Sequence, residues 1–301
     1  VIVVAGENVV DLVPAKDTET AGGGVGLLSP VLGGGPANIA VAIARQDVPV
    51  AMAARLGADA FGTAARRRLT DAGVRDDFLR ESPDPSALAL VSLDEGGSAR
   101  YDFWLAGAAD FGWRDGELPD PVQLGGTGGS TGVSAISIGS LAAFLPPGDG
   151  TLARWASAAR TTATIALDPN LRPAALGLPE AELRDRVEAL VGIADVVKVS
   201  DEDLTPAYPG ELPEDIATRW LAMDGGPALV VVTRGAAGVT GMTRSVRVDV
   251  PAPKVEVVDT IGAGDTAMGT LLAELHRHGL LGPGERDTST GPAGLAGRAA
   301  L

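Results

Sequence analysis

The second half of the chain alternates short apolar runs with amphipathic stretches, and this constrains the fold more than any other feature. Residues 135–139, 164–167, 196–199 and 228–233 are short runs dominated by Val, Ile, Leu and Ala. Runs of this kind suit strands buried on both faces. Residues 152–159, 180–191 and 213–223 lie between them and read as helices. A strand that is repeatedly followed by a helix predicts an α/β fold, with a mostly parallel sheet covered by helices on both faces.

The first half begins the same way and then departs from it. Residues 1–5 and 49–54 read as strands, and residues 39–45 and 60–72 as helices. Gly6-Glu7-Asn8 interrupts the first apolar run, which resumes at 9–13. Residues 86–99 and 100–105 pair around Asp94-Glu95-Gly96-Gly97, a strong hairpin signal. The hairpins at 9–32 and 86–105 do not fit the alternation and predict a small sheet attached to the core as a lid. A late hairpin is expected from 245–250 and 255–258, and a long helix from 266–278. Residues 17–26 and 123–132 read as polar, Gly-rich loops.

Composition narrows the function classes. The chain has 301 residues, enough for one large domain or two ordinary ones. The net charge of −15 opposes long-range attraction to nucleic acid or an anionic membrane. A local nest of N–H groups still suits a phosphorylated small molecule. There is no cysteine, hence no disulfide or thiolate chemistry, and with two histidines a histidine-rich metal site is not expected. His276 and His278 lie two apart on a helix, do not share a face, and are expected to be exposed. No run reaches the roughly 20 apolar residues of a spanning helix. The first residues read as a strand without a charged leader, so no signal peptide is expected and cytoplasm is the expected location. The 41 glycines, roughly twice ordinary usage, are therefore the compositional clue, because glycine serves tight turns and close backbone approach.

Two absences and three stretches carry the chemistry. No Lys follows a Gly, so there is no Walker A loop, and no H-E-x-x-H occurs. Asp110-Phe111-Gly112 spells a kinase tripeptide without its companion loop and reads as chance. Gly128-Gly129-Ser130-Thr131-Gly132 matches a hydrolase elbow, but a polar loop precedes it where a buried strand is required.

The strongest stretch is Asp259-Thr260-Ile261-Gly262-Ala263-Gly264-Asp265, which follows a strand and opens a helix. Its glycines leave backbone N–H groups free at a helix N-terminus, an anion site. A carboxylate placed there suits proton abstraction from an attacking hydroxyl. The same residues also suit an N-capping Asp after a Gly turn. Gly33-Gly34-Gly35-Pro36-Ala37-Asn38 opens another helix; the glycines allow close approach to a ligand, and Asn38 offers both donor and acceptor. A plain loop is the alternative. Asp168-Pro169-Asn170-Leu171-Arg172-Pro173 follows a buried strand, where open α/β sheets bind ligands. It equally suits a surface turn. Asp11 ends an early strand.

Taken as a set, these stretches resemble the ribokinase or PfkB family of carbohydrate kinases. The N-terminal signature is similar from Gly33 to Asn38 and on through Arg55-Leu56-Gly57-Ala58-Asp59-Ala60-Phe61-Gly62. The C-terminal signature is similar at Asp259–Asp265. Within the family the chain looks most like fructokinases and ketodeoxygluconate kinases, through the Asp168–Pro173 stretch, Lys198-Val199-Ser200-Asp201-Glu202-Asp203 and Val232-Thr233-Arg234-Gly235-Ala236-Ala237-Gly238, and Gly107-Ala108-Ala109-Asp110 is similar to a fructokinase pattern. The resemblance implies a ribokinase-like three-layer sandwich: a core of residues 1–11, 33–84 and 113–301, and a β lid of residues 12–32 and 85–112.

By position it also implies site residues. Asp11, Gly34, Gly35 and Asn38 would hold sugar hydroxyls, and Arg172 would reach the sugar or the transferring phosphate. Asp265 would be the base, held ionised by the helix N-terminus. The N–H groups of Gly262, Ala263 and Gly264 would stabilise phosphoryl charge. Lys198, Ser200, Thr233 and Gly235 would line the nucleotide site. Asp203 would touch Mg²⁺ through water, and Asp259 would touch a monovalent cation such as K⁺. The implied small molecules are a sugar, ATP and Mg²⁺, and lids of this family sometimes pair as homodimers.

Two departures bear on this. Asp203 stands where the family usually has the longer Glu, and residues 282–301 are Gly-, Pro- and Thr-rich where relatives continue in helices. The rival readings are a ketodeoxygluconate kinase, a ribokinase and, from another class, a catalytically weakened sugar-binding regulator.

Overall fold

A computed structural model describes residues 1–15, 27–93, 99–124, 132–254, 262–283, 286–287 and 291–292. The loop at 17–26, the tip at 94–97, Ser130, residues 255–258 and Asp259 therefore lie outside the described residues.

The strands of the core are β1 (Ile2–Ala5), β4 (Val50–Gly57), β5 (Arg75–Ser82), β8 (Ala135–Gly139), β9 (Thr164–Asp168), β10 (Val196–Ser200), β11 (Leu229–Thr233), β12 (Val239–Met242) and β13 (Arg247–Val250). They form one sheet in the order β13-β12-β11-β10-β9-β8-β1-β4-β5. From β11 to β5 every pairing is parallel, and β12 and β13 add on antiparallel. The chain moves outward one way from β1 through β4 and β5, and the other way from β8 through β11. The strand order reverses between β1 and β8, and a crevice at the carboxyl ends of the strands follows from such a reversal.

The helices are α1 (Gly35–Ala44), α2 (Ala60–Asp71), α3 (Pro121–Leu124), α4 (Asp149–Ala159), α5 (Pro173–Leu176), α6 (Glu180–Val191), α7 (Asp201–Leu204), α8 (Pro213–Ala222) and α9 (Ala263–Arg277). The period-two alternation of the strands splits the core in two. Ile2 and Val4 pack with Ile39 of α1, Leu69 of α2 and Met268 and Leu272 of α9. Val3, Ile136, Ile165 and Val197 pack on the other face with Leu152 of α4, Leu183 of α6 and Trp220 of α8. The three-layer α/β reading of the sequence is thus the observed architecture. Gly269 sets how closely α9 meets α1: a Cβ there would stand 2.7 Å from the Ala42 Cβ and 3.1 Å from the Ile39 carbonyl oxygen. Two helices that cross this closely bring their N-termini side by side.

A second sheet has the order β3-β2-β6-β7, made of β2 (Val10–Pro14), β3 (Leu28–Leu32), β6 (Leu88–Leu93) and β7 (Ala99–Trp104). It contains the two early hairpin regions that the sequence set apart. Asp11 is paired with Val31 on one side and Ala89 on the other, and Ala89 with Phe103. Residues in such a row share one face of the sheet.

Three points differ from or add to the sequence reading. The strand at 247–250 pairs with β12, a strand not expected from the sequence, while residues 255–258 lie outside the described residues. The turn at Thr243 to Val246 closes this hairpin, with Thr243 N donating to Val246 O at 2.8 Å. Strand β5 went unread because its sequence, Arg-Asp-Asp-Phe-Leu-Arg-Glu-Ser, is mostly charged; it is the outermost strand and its side chains face largely to solvent. His276 is not a free surface residue, since its Nδ1 lies 3.0 Å from Ser134 Oγ. No helix among the described residues is long and apolar enough to cross a membrane.

Candidate active site

A cleft with about 620 Å³ of empty space opens where the second sheet faces the carboxyl ends of β1 and β8. Glu7, Asp11, Asn38, Arg172, Gly262 and Asp265 are in its walls, and Tyr101 and Phe103 of β7 reach it from the second sheet. The two rings stack with centroids 5.9 Å apart.

Asp265 sits in the first turn of α9 and is buried. Gly262 caps that helix in the left-handed conformation, φ 73°, and no side chain caps it. The helix start therefore offers bare N–H groups beside the carboxylate. Asp265 accepts two amide hydrogen bonds: Asn38 Nδ2 donates to Oδ2 at 2.8 Å and Asn170 Nδ2 to Oδ1 at 3.2 Å. Burial pushes the Asp265 carboxyl upward, while the Asn38 N–H and the charges of Lys198 and Arg172 pull it back. The helix N-terminus by itself favours the ion, and burial works against it. A carboxylate moved upward is the stronger proton acceptor.

The opening turn of α1 meets this group from the side. Gly34 has φ 91°, which suits glycine. A Cβ on Gly35 would stand 2.5 Å from Asn170 Nδ2 and 3.3 Å from Asp265 Oδ1, so the backbone approaches the carboxylate as closely as it can. Asp11 lies on the cleft face of β2, and burial raises its pKa against the pull of Arg172. Arg172 is exposed at the rim, and its Nη1 donates to the carbonyls of Asn170 and Leu171 in its own loop.

Lys198 and Asp168 form a buried ion pair at 3.0 Å beneath the start of α9. A Cβ on Gly264 would lie 3.0 Å from the Lys198 ammonium. Ser200 and Thr233 are register partners at the carboxyl ends of β10 and β11, and Gly235 follows with φ 48°. Ser200 caps α7: Asp203 N donates to Ser200 Oγ at 3.0 Å and Ser200 Oγ donates to Asp203 Oδ2 at 2.6 Å. Ser200, Thr233 and Gly235 thus lie farther along the same sheet edge than the cleft. Among the described residues no cluster of three metal-ligating side chains occurs.

Four features in or behind the cleft were missed from the sequence. Glu7 is 1% exposed, with Ala142 N donating to its Oε2 at 3.0 Å, and burial raises its pKa. Its signal was a charged residue breaking an apolar run. Ser140 and Asn170, at the ends of β8 and β9, are non-glycine residues at φ 51° and 42°. Backbone held in such regions is costly and concentrates at functional sites, but nothing local announces it. Tyr101 and Phe103 were legible as alternate residues of a strand, though not as cleft residues. Arg68 was silent within a run of three arginines.

Comparisons with known proteins identify the family. The pattern of the pfkB family carbohydrate kinases matches residues 2–283. A fructokinase of Rhizobium leguminosarum bv. trifolii is 32% identical over 280 residues, covering 93% of this chain and 81% of that protein. A fructokinase of Vibrio cholerae O395 with fructose, ADP and calcium ion bound superposes with a TM-score of 0.75 at 30% identity, covering 91% of this chain and 83% of that one. A fructokinase of Xylella fastidiosa with bound ATP gives a TM-score of 0.76 at 26% identity, covering 92% and 81%. The chain, with its ribokinase-like fold, belongs to the pfkB family of carbohydrate kinases.

Proposed function

We propose that this protein is a fructokinase-like enzyme that transfers the γ-phosphoryl group of ATP to a sugar hydroxyl, with Asp265 as general base. The observation that carries the reading is a buried carboxylate at an uncapped helix N-terminus, facing a cleft lined by further hydroxyl-binding groups. Likeness to fructokinases that hold fructose, ADP or ATP supports the same sugar and nucleotide classes here.

The sugar would lie between Asp11, Gly34, Gly35 and Asn38, with Arg172 at the rim. Asp265 takes the hydroxyl proton. The freed oxygen bonds to the γ-phosphorus, the bond from that phosphorus to the bridging oxygen breaks, and ADP leaves. The N–H groups of Gly262, Ala263 and Gly264 hold the charge on the transferring group, since phosphoryl transfer needs positioning and charge stabilisation above all. Lys198 adds a cation beneath the same turn, and Thr233, Gly235 and Ser200 line the nucleotide.

The donor set fits Mg²⁺ carried by the nucleotide. Such an ion needs only one or two protein carboxylates, with phosphates and waters completing its shell. One oxygen of Asp203 is engaged by Ser200, and the carboxylate would hold the ion through water. When bound, Mg²⁺ neutralises phosphate charge. Asp259, the residue proposed for K⁺, lies outside the described residues.

Residues 12–32 and 85–112, which Val10 and Asp11 join in the second sheet, act in this reading as a lid that excludes water from the transfer. Exposed Trp104, at 56% on the face of this sheet opposite Phe103, supports pairing of two lids in a homodimer. The test is ADP release with Mg-ATP across fructose, ribose, ketodeoxygluconate, tagatose and adenosine, with and without K⁺. Turnover highest on fructose is expected. Sugar binding by calorimetry without turnover would point instead to a regulator.

A further inference from the structure

Arg66, Arg67 and Arg68 follow one another on α2, and the structure separates them. Arg66 pairs with Asp76 and Arg67 with Asp71, both in solvent. Arg68 turns inward. Its Nη2 donates to Asn38 Oδ1 at 2.7 Å, and its Nη1 is buried without a partner among the described residues. On the other side of the same amide, Asn38 Nδ2 donates to Asp265 Oδ2 at 2.8 Å. Arg68, Asn38 and Asp265 thus form a chain of two hydrogen bonds. It runs from a cation behind the cleft to the carboxylate inside it.

The donor inventory fixes the direction of this chain. A guanidinium has donors only, so the amide atom facing it is the carbonyl oxygen. The NH₂ end is then turned to Asp265, and the carboxylate must accept. With Arg68 removed, the amide is free to turn round. Its oxygen would then face Asp265, an arrangement satisfied only when Asp265 is protonated and donates. The two amide orientations therefore belong to two protonation states of Asp265, and only one of them takes a proton from a substrate. A Cβ on Gly262 would lie 3.8 Å from both Asn38 Nδ2 and Asp265 Oδ2, so both atoms face the cleft beside the start of α9.

We propose that Arg68 is a positioning residue of the transfer site: by holding the Asn38 carbonyl oxygen it keeps the amide NH₂ on Asp265, and so keeps Asp265 an acceptor for the sugar hydroxyl's proton. The role in transfer rests on the kinase reading above; the hydrogen-bond chain does not. Other charges act on Asp265 directly. Lys198 on β10 and Arg172 before α5 favour the ion, Asp203 on α7 opposes it, and Glu7 and Asp11 line the same cleft. Asp168 at the end of β9 also opposes the Asp265 ion. Arg45, at the end of α1, faces Arg68 with like charge, and Arg68 attracts the Asp265 carboxylate directly as well as through Asn38. Arg68 is the cation that hydrogen-bonds the Asn38 side chain among the described residues.

The experiment is a double-variant cycle with two readouts. The first follows the Asp265 carboxyl by carbon NMR titration in protein free of sugar and nucleotide, with Asp265→Asn assigning the signal. The second is kcat against pH with fructose and Mg-ATP. In Arg68→Met the Asp265 midpoint is expected to rise by at least half a pH unit, with the acid limb of kcat following it. Neutral-pH kcat should fall by up to about threefold for each half unit of that rise while KM for ATP stays within about twofold, as expected for a group that acts through the proton acceptor. Arg68→Lys recovers part of the loss, and Arg67→Met changes neither readout. In an Asn38→Ala background, Arg68→Met leaves only the direct charge attraction to lose, so its effect is clearly smaller than in the wild type.

An Asp265 titration unmoved by Arg68→Met, or losses that add in the double variant, would overturn the proposal. Should Arg68→Met fail to fold, Arg68→Lys with and without Asn38→Ala gives the same comparison. Absence of turnover by the wild type on every sugar would remove the kinase reading, while the NMR titration would still decide the Arg68–Asn38–Asp265 relation.

Discussion

The Lys198 ammonium lies 3.0 Å from Asp168 Oδ2, with side-chain exposures of 4% and 1%, so two opposite charges are sealed together beneath the start of α9. Asp168 Oδ1 is buried without a partner among the described residues, which leaves Lys198 as the carboxylate's counter-charge. Removing one member of a buried pair costs about 3–5 kcal/mol, whereas replacing both is far milder. Lys198→Met should therefore destabilise the protein by a few kcal/mol, and Asp168→Asn/Lys198→Met by clearly less. Urea unfolding of both variants decides it. Burial pushes the Asp168 carboxyl up to about 7, so the single variant should recover at acid pH, where Asp168 takes a proton. A double variant no more stable than the single one would rule out this account.

Asp265→Asn removes the proton acceptor: the new amide oxygen can still accept from Asn38, and its NH₂ meets Asn170, whose amide must turn to present its oxygen. The expected result is a fall in kcat of about 10²- to 10⁴-fold, the usual contribution of a general base. KM for sugar and for ATP should stay within a few-fold. Steady-state kinetics with a coupled ADP assay would show this; retained kcat would exclude Asp265 as the base.

Gly35→Ala separates site geometry from stability. The new methyl would meet Asn170 Nδ2 at 2.5 Å, and that amide is the far end of a side chain that can swing aside. The thermal midpoint should change little. The Asn170–Asp265 contact should be lost, and with it about tenfold in kcat. A variant that melts early with normal kcat per folded molecule would contradict this.

Asp110 predicts a pH-dependent stability. Its carboxylate takes the N–H of Asn8 at 2.8 Å and of Ala87 at 3.1 Å, binding the two points where the chain enters the second sheet. Burial raises its pKa from 3.8 to about 7, against the pull of those N–H groups and with help from Glu7. The folded state then holds a proton that the unfolded chain has released. Asp110's contribution is fully present below the unfolded value and is lost as pH rises from 3.8 toward about 7. Between those limits, wild-type unfolding free energy should fall with pH relative to Asp110→Asn, by on the order of 1 kcal/mol per pH unit. Parallel curves for the two proteins across this window would disprove the assignment.

Much of this molecule was legible before any coordinate. The alternation of apolar runs and helices predicted a covered parallel sheet, because strand and helix periods are local properties of the chain. The Gly-rich turns at 33–38 and 262–265 were legible for the same reason: a bare helix N-terminus is written in consecutive residues. Strand β5 escaped because an outer strand need not bury an apolar face, and β12 escaped because its four residues, Val-Thr-Gly-Met, carry little apolar signal of their own.

The site itself was decided by packing. Asp265 lies 227 residues from Asn38, and Asn38 lies 30 from Arg68. Nothing in the local sequence of Arg68 distinguishes it from Arg66 and Arg67; its direction follows from where α2 rests against α1. The close crossing at Gly269 brings the two helix starts together, and the sheet holds Lys198 against Asp168 beneath them. Composition and spacing tell which groups a chain has for its chemistry. Their protonation and orientation depend on burial and on partners far along the chain, and those exist only once the layers have closed.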